Sequence, residues 1–211
     1  MKLPAIIAVL VWVLISPAAS AAPQSLTIAV VGADPADPRR QAIAEAIEFW
    51  NMQFAEIGAG VRLGPINAAV QLVPDSALVA LSESVVGPAR SGTRATADFP
   101  AELTPLPGDI IVALSTADFV SFGRPVGPGR KGLVGLSRPD IPPRSLPNVM
   151  RNLVAHELGH VLGLRHNDDP AMLMCGRPAP CRPGLFASNT KRFFPLTAAD
   201  KAALRGRWPP Q

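Results

Sequence analysis

All three histidines of this 211-residue chain fall within eleven consecutive residues, and that clustering constrains the fold more than any other feature. The segment His156-Glu157-Leu158-Gly159-His160-Val161-Leu162-Gly163-Leu164-Arg165-His166 reads HExxHxxGxxH. His156 and His160 are four positions apart, so on a helix both imidazoles project from one face and can take two corners around a zinc ion. Glu157 stands beside the first of them, placed to reach a metal-bound water without ligating the metal, which is what a general base requires. Gly163 can adopt the left-handed conformation that ends a helix, turning the chain back so that His166 supplies a third ligand. Three neutral imidazoles leave one tetrahedral position open, the mark of a catalytic rather than a structural zinc site. A bare HExxH is weak evidence, whereas the full pattern consumes every histidine of the chain.

The pattern needs a helix to carry it. Met150, Leu153, Val154, Leu158, Val161 and Leu162 form an apolar stripe that predicts one from Pro147 or Asn148 to Gly163. Upstream, Leu26 to Val31 is an apolar, β-branched run of the kind a buried strand uses. A helix should follow it, capped by Asp37 with Pro38 at its first helical position, with Ile43, Ile47, Trp50, Phe54 and Ile57 at helical spacing before Gly58 and Gly60. Further strands are expected at Val61 to Leu63, Ala68 to Val73, Leu78 to Ser82, Asp109 to Leu114 and Leu133 to Ser137. Stretches rich in Pro and Gly at Gly87 to Gly108, Gly123 to Gly132 and Arg138 to Asn148 read as surface loops. Thr197 with Asp200 three residues on announces a last helix through a capping-box-like pair.

Composition excludes several classes. With 48% hydrophobic and 17% charged residues the chain is not intrinsically disordered, and its 2 cysteines cannot staple a fold of this size, so a hydrophobic core must hold it. Lys2, the apolar run Ala5 to Ile15 and the small residues Ala18-Ala19-Ser20-Ala21 read as a signal peptide over residues 1–21, cleaved after Ala21. The apolar run falls short of the ~20 residues a membrane span needs, so no stable anchor is expected after cleavage. One domain over residues 22–211 and a secreted or periplasmic location follow from that reading. Basic residues outnumber acidic ones after Ile110, but they are mostly arginine in a chain rich in Ala, Pro and Gly, which points to compositional bias. No nucleic-acid motif accompanies them, so nucleic acid is not an expected partner.

On these residues the sequence resembles the metzincin zinc endopeptidases, and within them it looks most like a matrixin. Asn167-Asp168-Asp169-Pro170-Ala171-Met172-Leu173-Met174 is similar to the matrixin stretch leading into the Met-turn, which would make Met174 the apolar floor beneath the imidazoles. Leu196 to Leu204 is similar to the final matrixin helix and Ile43 to Trp50 to the first, while close likeness covers Leu153 to Cys175. The resemblance implies an α+β, zincin-like single domain: a twisted mixed sheet, an active-site helix, a Met-turn and a C-terminal helix. It also implies one catalytic Zn2+ and hydrolysis of peptide bonds by a zinc-bound water with Glu157 as base. The substrate would be a protein or peptide lying along an exposed edge strand, for which Leu133 to Ser137 is the candidate. A monomer is expected.

Departures bear on the subfamily. Asn167 stands where matrixins usually carry Ser, no cysteine precedes the motif to hold the enzyme latent, and no further histidines remain for a second, structural zinc. The absence of Tyr argues against the astacin and serralysin groups, whose Met-turn region contributes one near the metal. Cys175 and Cys181 enclose five residues that include two prolines and a glycine. They read as a disulfide beside the Met-turn, with a thiolate ligand to zinc as the alternative. Asp168 and Asp169 read as solvated turn residues, with an orienting role or calcium binding as alternatives. Two further functional readings stay open: a zinc hydrolase acting on a non-protein amide, and a catalytically silent binding protein on the same scaffold.

Overall fold

The computed structural model describes residues 22–32, 34–69, 73–91, 99–176 and 191–211. Residues 1–21, on which the signal-peptide reading falls, and Cys181 lie outside them. The elements run β1 (Gln24–Val31), α1 (Arg39–Ile57), β2 (Val61–Ala69), α2 (Asp75–Ser91), a 3-10 helix (Ala101–Leu103), β3 (Ile110–Leu114), β4 (Phe122–Arg124), β5 (Gly132–Leu136), α3 (Pro147–Val161) and α4 (Ala198–Arg207). The five strands form one sheet in the order β2-β1-β3-β5-β4, parallel throughout except for β4, which runs antiparallel to β5. The architecture is a mixed α+β single domain.

Strand alternation divides the core into two layers. Leu26, Ile28, Val30, Ile110, Val112, Val134 and Leu136 face α1 and α3, whereas Ala29, Val31, Ile111, Ala113 and Leu133 face α2 and the 3-10 helix. Burial on both faces is what a parallel sheet requires, and it explains why these strands read as continuous apolar runs rather than alternating ones. On the first side Trp50 is fully buried, and its indole Nε1 donates to the Ala155 carbonyl at 3.1 Å, which sets α1 against the helix that carries the histidines.

The three helices expected from capping and periodicity form where they were anticipated. Asp37 Oδ1 accepts from the Arg39 backbone N–H at the start of α1, and Gly58 closes it with φ 65°. Thr197 and Asp200 make a complete capping box on α4. Other expectations fail, among them the surface loop from Gly87 to Gly108, whose residues to Ser91 continue helix α2 and which includes the 3-10 helix with Leu103 buried. Leu78 to Ser82 belongs to helix α2, not a strand: Leu78, Leu81 and Ser82 are buried at i, i+3 and i+4, and five residues of apolar run do not separate the two periods. Val61 to Leu63 and the start of the expected Ala68 to Val73 strand belong to one edge strand, β2, which absorbs Gly64-Pro65 in a register shift, Leu26 pairing with Leu63 and Ile28 with Ile66, while residues 70–72 lie outside the described residues. The Leu133 to Ser137 run is no edge, because β4 pairs along its outer side and all five residues of β5 are buried. The sheet margin next to α3 is β4, from a segment read partly as loop because three residues cannot show alternation.

Candidate metal centre

α3 holds His156 and His160 one turn apart, as their spacing requires. Gly163 ends this helix with φ 101°, and two closing hydrogen bonds follow, Gly163 N–H to His160 O at 3.0 Å and Leu164 N–H to Gly159 O at 2.9 Å. This is the paired 5→2 and 6→1 closure of a glycine-terminated helix. The chain then reverses and brings His166 back to the other two. The three Nε2 atoms form a nearly equilateral triangle, 3.1 Å from His156 to His160, 3.2 Å from His156 to His166 and 3.0 Å from His160 to His166.

The tautomers follow from what the opposite ring nitrogens meet. His156 Nδ1 donates to the Leu173 carbonyl at 2.7 Å and His160 Nδ1 to the Leu164 carbonyl at 2.9 Å, and a carbonyl can only accept. Both Nε2 atoms therefore present lone pairs to the centre of the triangle. Burial holds the His160 imidazole down to about 4, and burial likewise keeps His166 below its ordinary value, so both rings are neutral near pH 7. Converging lone pairs repel one another unless a cation lies among them. Ligands ~2.0–2.1 Å from a tetrahedral zinc would stand about 3.3 Å apart, close to the separations here, so the residues fit that ion.

Exposure rises across the triad from His156, at 9%, to the solvent-exposed His166, so the centre opens on the His166 side. Glu157 is buried and stands outside the ligand cluster, and burial pushes its carboxyl well above the usual range. Met174 is fully buried, and its sulfur lies within 2.5 Å of where a β-carbon on Gly159 would sit. The turn that carries Met174 therefore packs directly on α3, and Gly159 is required by that close approach. Met172 is only half-buried. Cys175 is buried beside this turn, while its expected partner Cys181 lies outside the described residues. Asp168 and Asp169 are exposed, Asp169 Oδ1 accepting from Ala171 N–H at 2.9 Å, as turn residues do. Asn167 Nδ2 donates to Asp200 Oδ2 at 3.1 Å, tying the loop after the third histidine to the cap of α4.

Sequence reasoning missed Gly123, Gly159 and Asn152. Gly123 is the middle of β4, and a β-carbon there would run into the Glu157 carbonyl and His160 Cβ, so the edge strand touches the ligand helix backbone to backbone. Nothing in a three-residue strand signals this. Asn152 had a signal: a buried amide four residues before His156, on the same helical face. Gly123→Ala is expected to destabilise the protein by ~1–3 kcal/mol, the usual cost of overpacking, because the obstructing atoms are helix backbone. Urea unfolding of the two proteins checks this, and equal midpoints would mean that β4 can move off α3 freely.

No protein-family model matches the chain, and no curated protein matches it either. Among solved structures, the archaemetzincin of Methanopyrus kandleri matches over 88% of this chain and 95% of its own, with a TM-score of 0.47 and 18% identity.

Proposed function

We propose that this chain is an exported, zinc-dependent endopeptidase of the metzincin kind, closest to the matrixins. The observation that carries this reading is the triangle of Nε2 atoms, with Glu157 next in sequence to its most buried member. Zinc held there supplies a Lewis acid for a water molecule and for the carbonyl of the scissile peptide. His156, His160 and His166 would hold the ion. Glu157 takes the proton of the attacking water and hands it to the departing amine. Its burial favours that role by raising its affinity for the proton.

An extended peptide substrate is assigned to β4, the last strand of the sheet among the described residues, and not to β5, because β4 lies against the Glu157–His160 turn of α3. The stretch from Asp168 to Met174 supports the matrixin placement over other metzincins, while Asn167, bonded to α4, departs from it by standing where a serine is usual. Export through the signal peptide of residues 1–21 agrees with a disulfide between Cys175 and Cys181. No helix among the described residues is long and apolar enough to cross a membrane.

The test is metal content followed by cleavage of a denatured protein, with and without a chelator. One zinc per chain and cleavage abolished by the chelator, then restored by zinc, are expected. Zinc without cleavage of any denatured protein would overturn the endopeptidase reading, and a chain that takes up no metal would overturn the metal centre itself.

A further inference from the structure

The first ligand is held by a carbonyl that does not belong to its helix. His156 Nδ1 donates to Leu173 O, and the Leu173 N–H in turn donates to the Pro195 carbonyl at 2.8 Å. Leu173 is therefore gripped from behind by the strap that enters α4. That strap is fastened to α3. Asn152, fully buried, accepts from the Phe194 N–H at 2.9 Å and donates through Nδ2 to the Arg192 carbonyl at 2.7 Å and to the Asn148 carbonyl at 2.9 Å. Asn148 Oδ1 accepts from the Arg192 N–H at 3.1 Å, adding a second clasp one turn earlier. The hydrogen bonds close a circuit that leaves α3 at Asn152, runs through Phe194, Pro195 and Leu173, and returns to α3 at His156, four residues on.

From this circuit we infer that Asn152 is a positioning residue for the metal centre: it places the Leu173 carbonyl that sets the tautomer and ring plane of His156. The inference rests on the metal-centre reading and extends it to a residue four positions outside the motif. A purely structural amide would need partners of any kind. This one spans the strap backbone on both sides of Phe193, donating to Arg192 and accepting from Phe194, as a neighbouring strand would. Phe193 between them stacks on Phe49 with ring centroids 4.7 Å apart, which holds the strap against α1 as well. His160 provides an internal comparison, because its Nδ1 is held by Leu164 at the end of its own helix and owes nothing to the strap.

The experiment compares the zinc-loaded mature chain with its Asn152→Ala variant. With three histidines in the sequence, the imidazole N–H signals can be assigned by nitrogen-15 NMR, and their exchange with solvent followed ring by ring. Exchange of the His156 Nδ1 proton is expected to accelerate at least about tenfold while that of His160 stays within about twofold. Zinc affinity, read by competition with a chromogenic chelator, is expected to fall by about 10–100-fold, as removal of an outer-shell partner usually causes. Equal acceleration at both rings would show general loosening and overturn the assignment, as would unchanged exchange with unchanged affinity. If Asn152→Ala does not fold, Asn148→Ala removes one clasp and should show the same selectivity for His156 at a smaller amplitude, and its failure to do so would overturn the assignment. A parent protein that binds no zinc would refute the metal centre, and this inference with it. Zinc binding with no selective change would refute this inference alone.

Discussion

Glu157→Gln is expected to bind zinc as tightly as the parent and to hydrolyse peptides about 10²–10⁴-fold more slowly, the range spanned by loss of a positioned acid–base group. Glutamine has the shape of glutamate but cannot accept a proton at neutral pH. The ligand triangle is built from His156, His160 and His166 without the carboxylate, so nothing that holds the metal is removed. Stability gives a second readout. The Glu157 carboxyl is buried and pushed well above its usual range by burial, so its ionised form is disfavoured in the fold. A neutral amide of equal size removes that cost, and the variant should melt no lower than the parent. Undiminished turnover would sink the assignment of the base, while loss of zinc would mean that Glu157 supports the ligands rather than the reaction.

Arg39→Ala is expected to cost ~3–5 kcal/mol in folding free energy, the range for breaking a buried ion pair from one side. Arg39 is 3% exposed at the start of α1, and its Nη1 donates to the carbonyls of Ser115, Leu136 and Ser137 at 2.8 to 3.0 Å. Those carbonyls mark where β3 and β5 end, so one guanidinium ties α1 to the centre of the sheet. Its Nε and Nη2 hold the Asp37 carboxylate. Burial alone would raise the Asp37 carboxyl, but hydrogen bonds and charge from Arg39 outweigh it and hold the group below its ordinary value. The stabilisation this provides is complete above the unfolded-state value of about 3.9 and is lost as pH falls through the lower folded-state value. The difference between parent and variant in urea unfolding should therefore be fully developed at pH 7 and shrink below about pH 4. Arg39→Lys should recover only part of it, since an ammonium cannot span the carbonyls and grip the carboxylate together. A loss under about 1 kcal/mol at pH 7 would show that water replaces the guanidinium without difficulty.

Glu157 and Arg39 also mark the limits of reading this chain unaided. The role proposed for Glu157 was legible because it depends on its neighbour at 156 and on helical geometry, both local. The helix from Pro147, its ending at Gly163, the cap at Thr197 and Asp200, and the burial of Trp50 were legible for the same reason: spacing and capping act within a few residues. Arg39 was not, since its partners lie 76 to 98 positions away and an arginine after a capping aspartate looks like a solvated helix start. Leu78 to Ser82 shows a second kind of failure. Five apolar or small residues suit either period, and packing under the sheet through Leu78 and Leu81 chose the helix.

Which side chains can hold a metal, the helix that pairs two of them, the glycine that returns the third, and a core built on apolar strands were all set by local features of the residues. These follow from helical period, backbone freedom at glycine and the chemistry of imidazole, none of which needs distant contacts. The folded molecule alone fixed which strand lies against α3, left no room for side chains at Gly123 and Gly159, and brought the Leu173 carbonyl, held from behind by the strap, to His156 Nδ1. Those depend on close approach between segments far apart in the chain, where a tenth of a nanometre separates contact from collision and no local pattern records the distance.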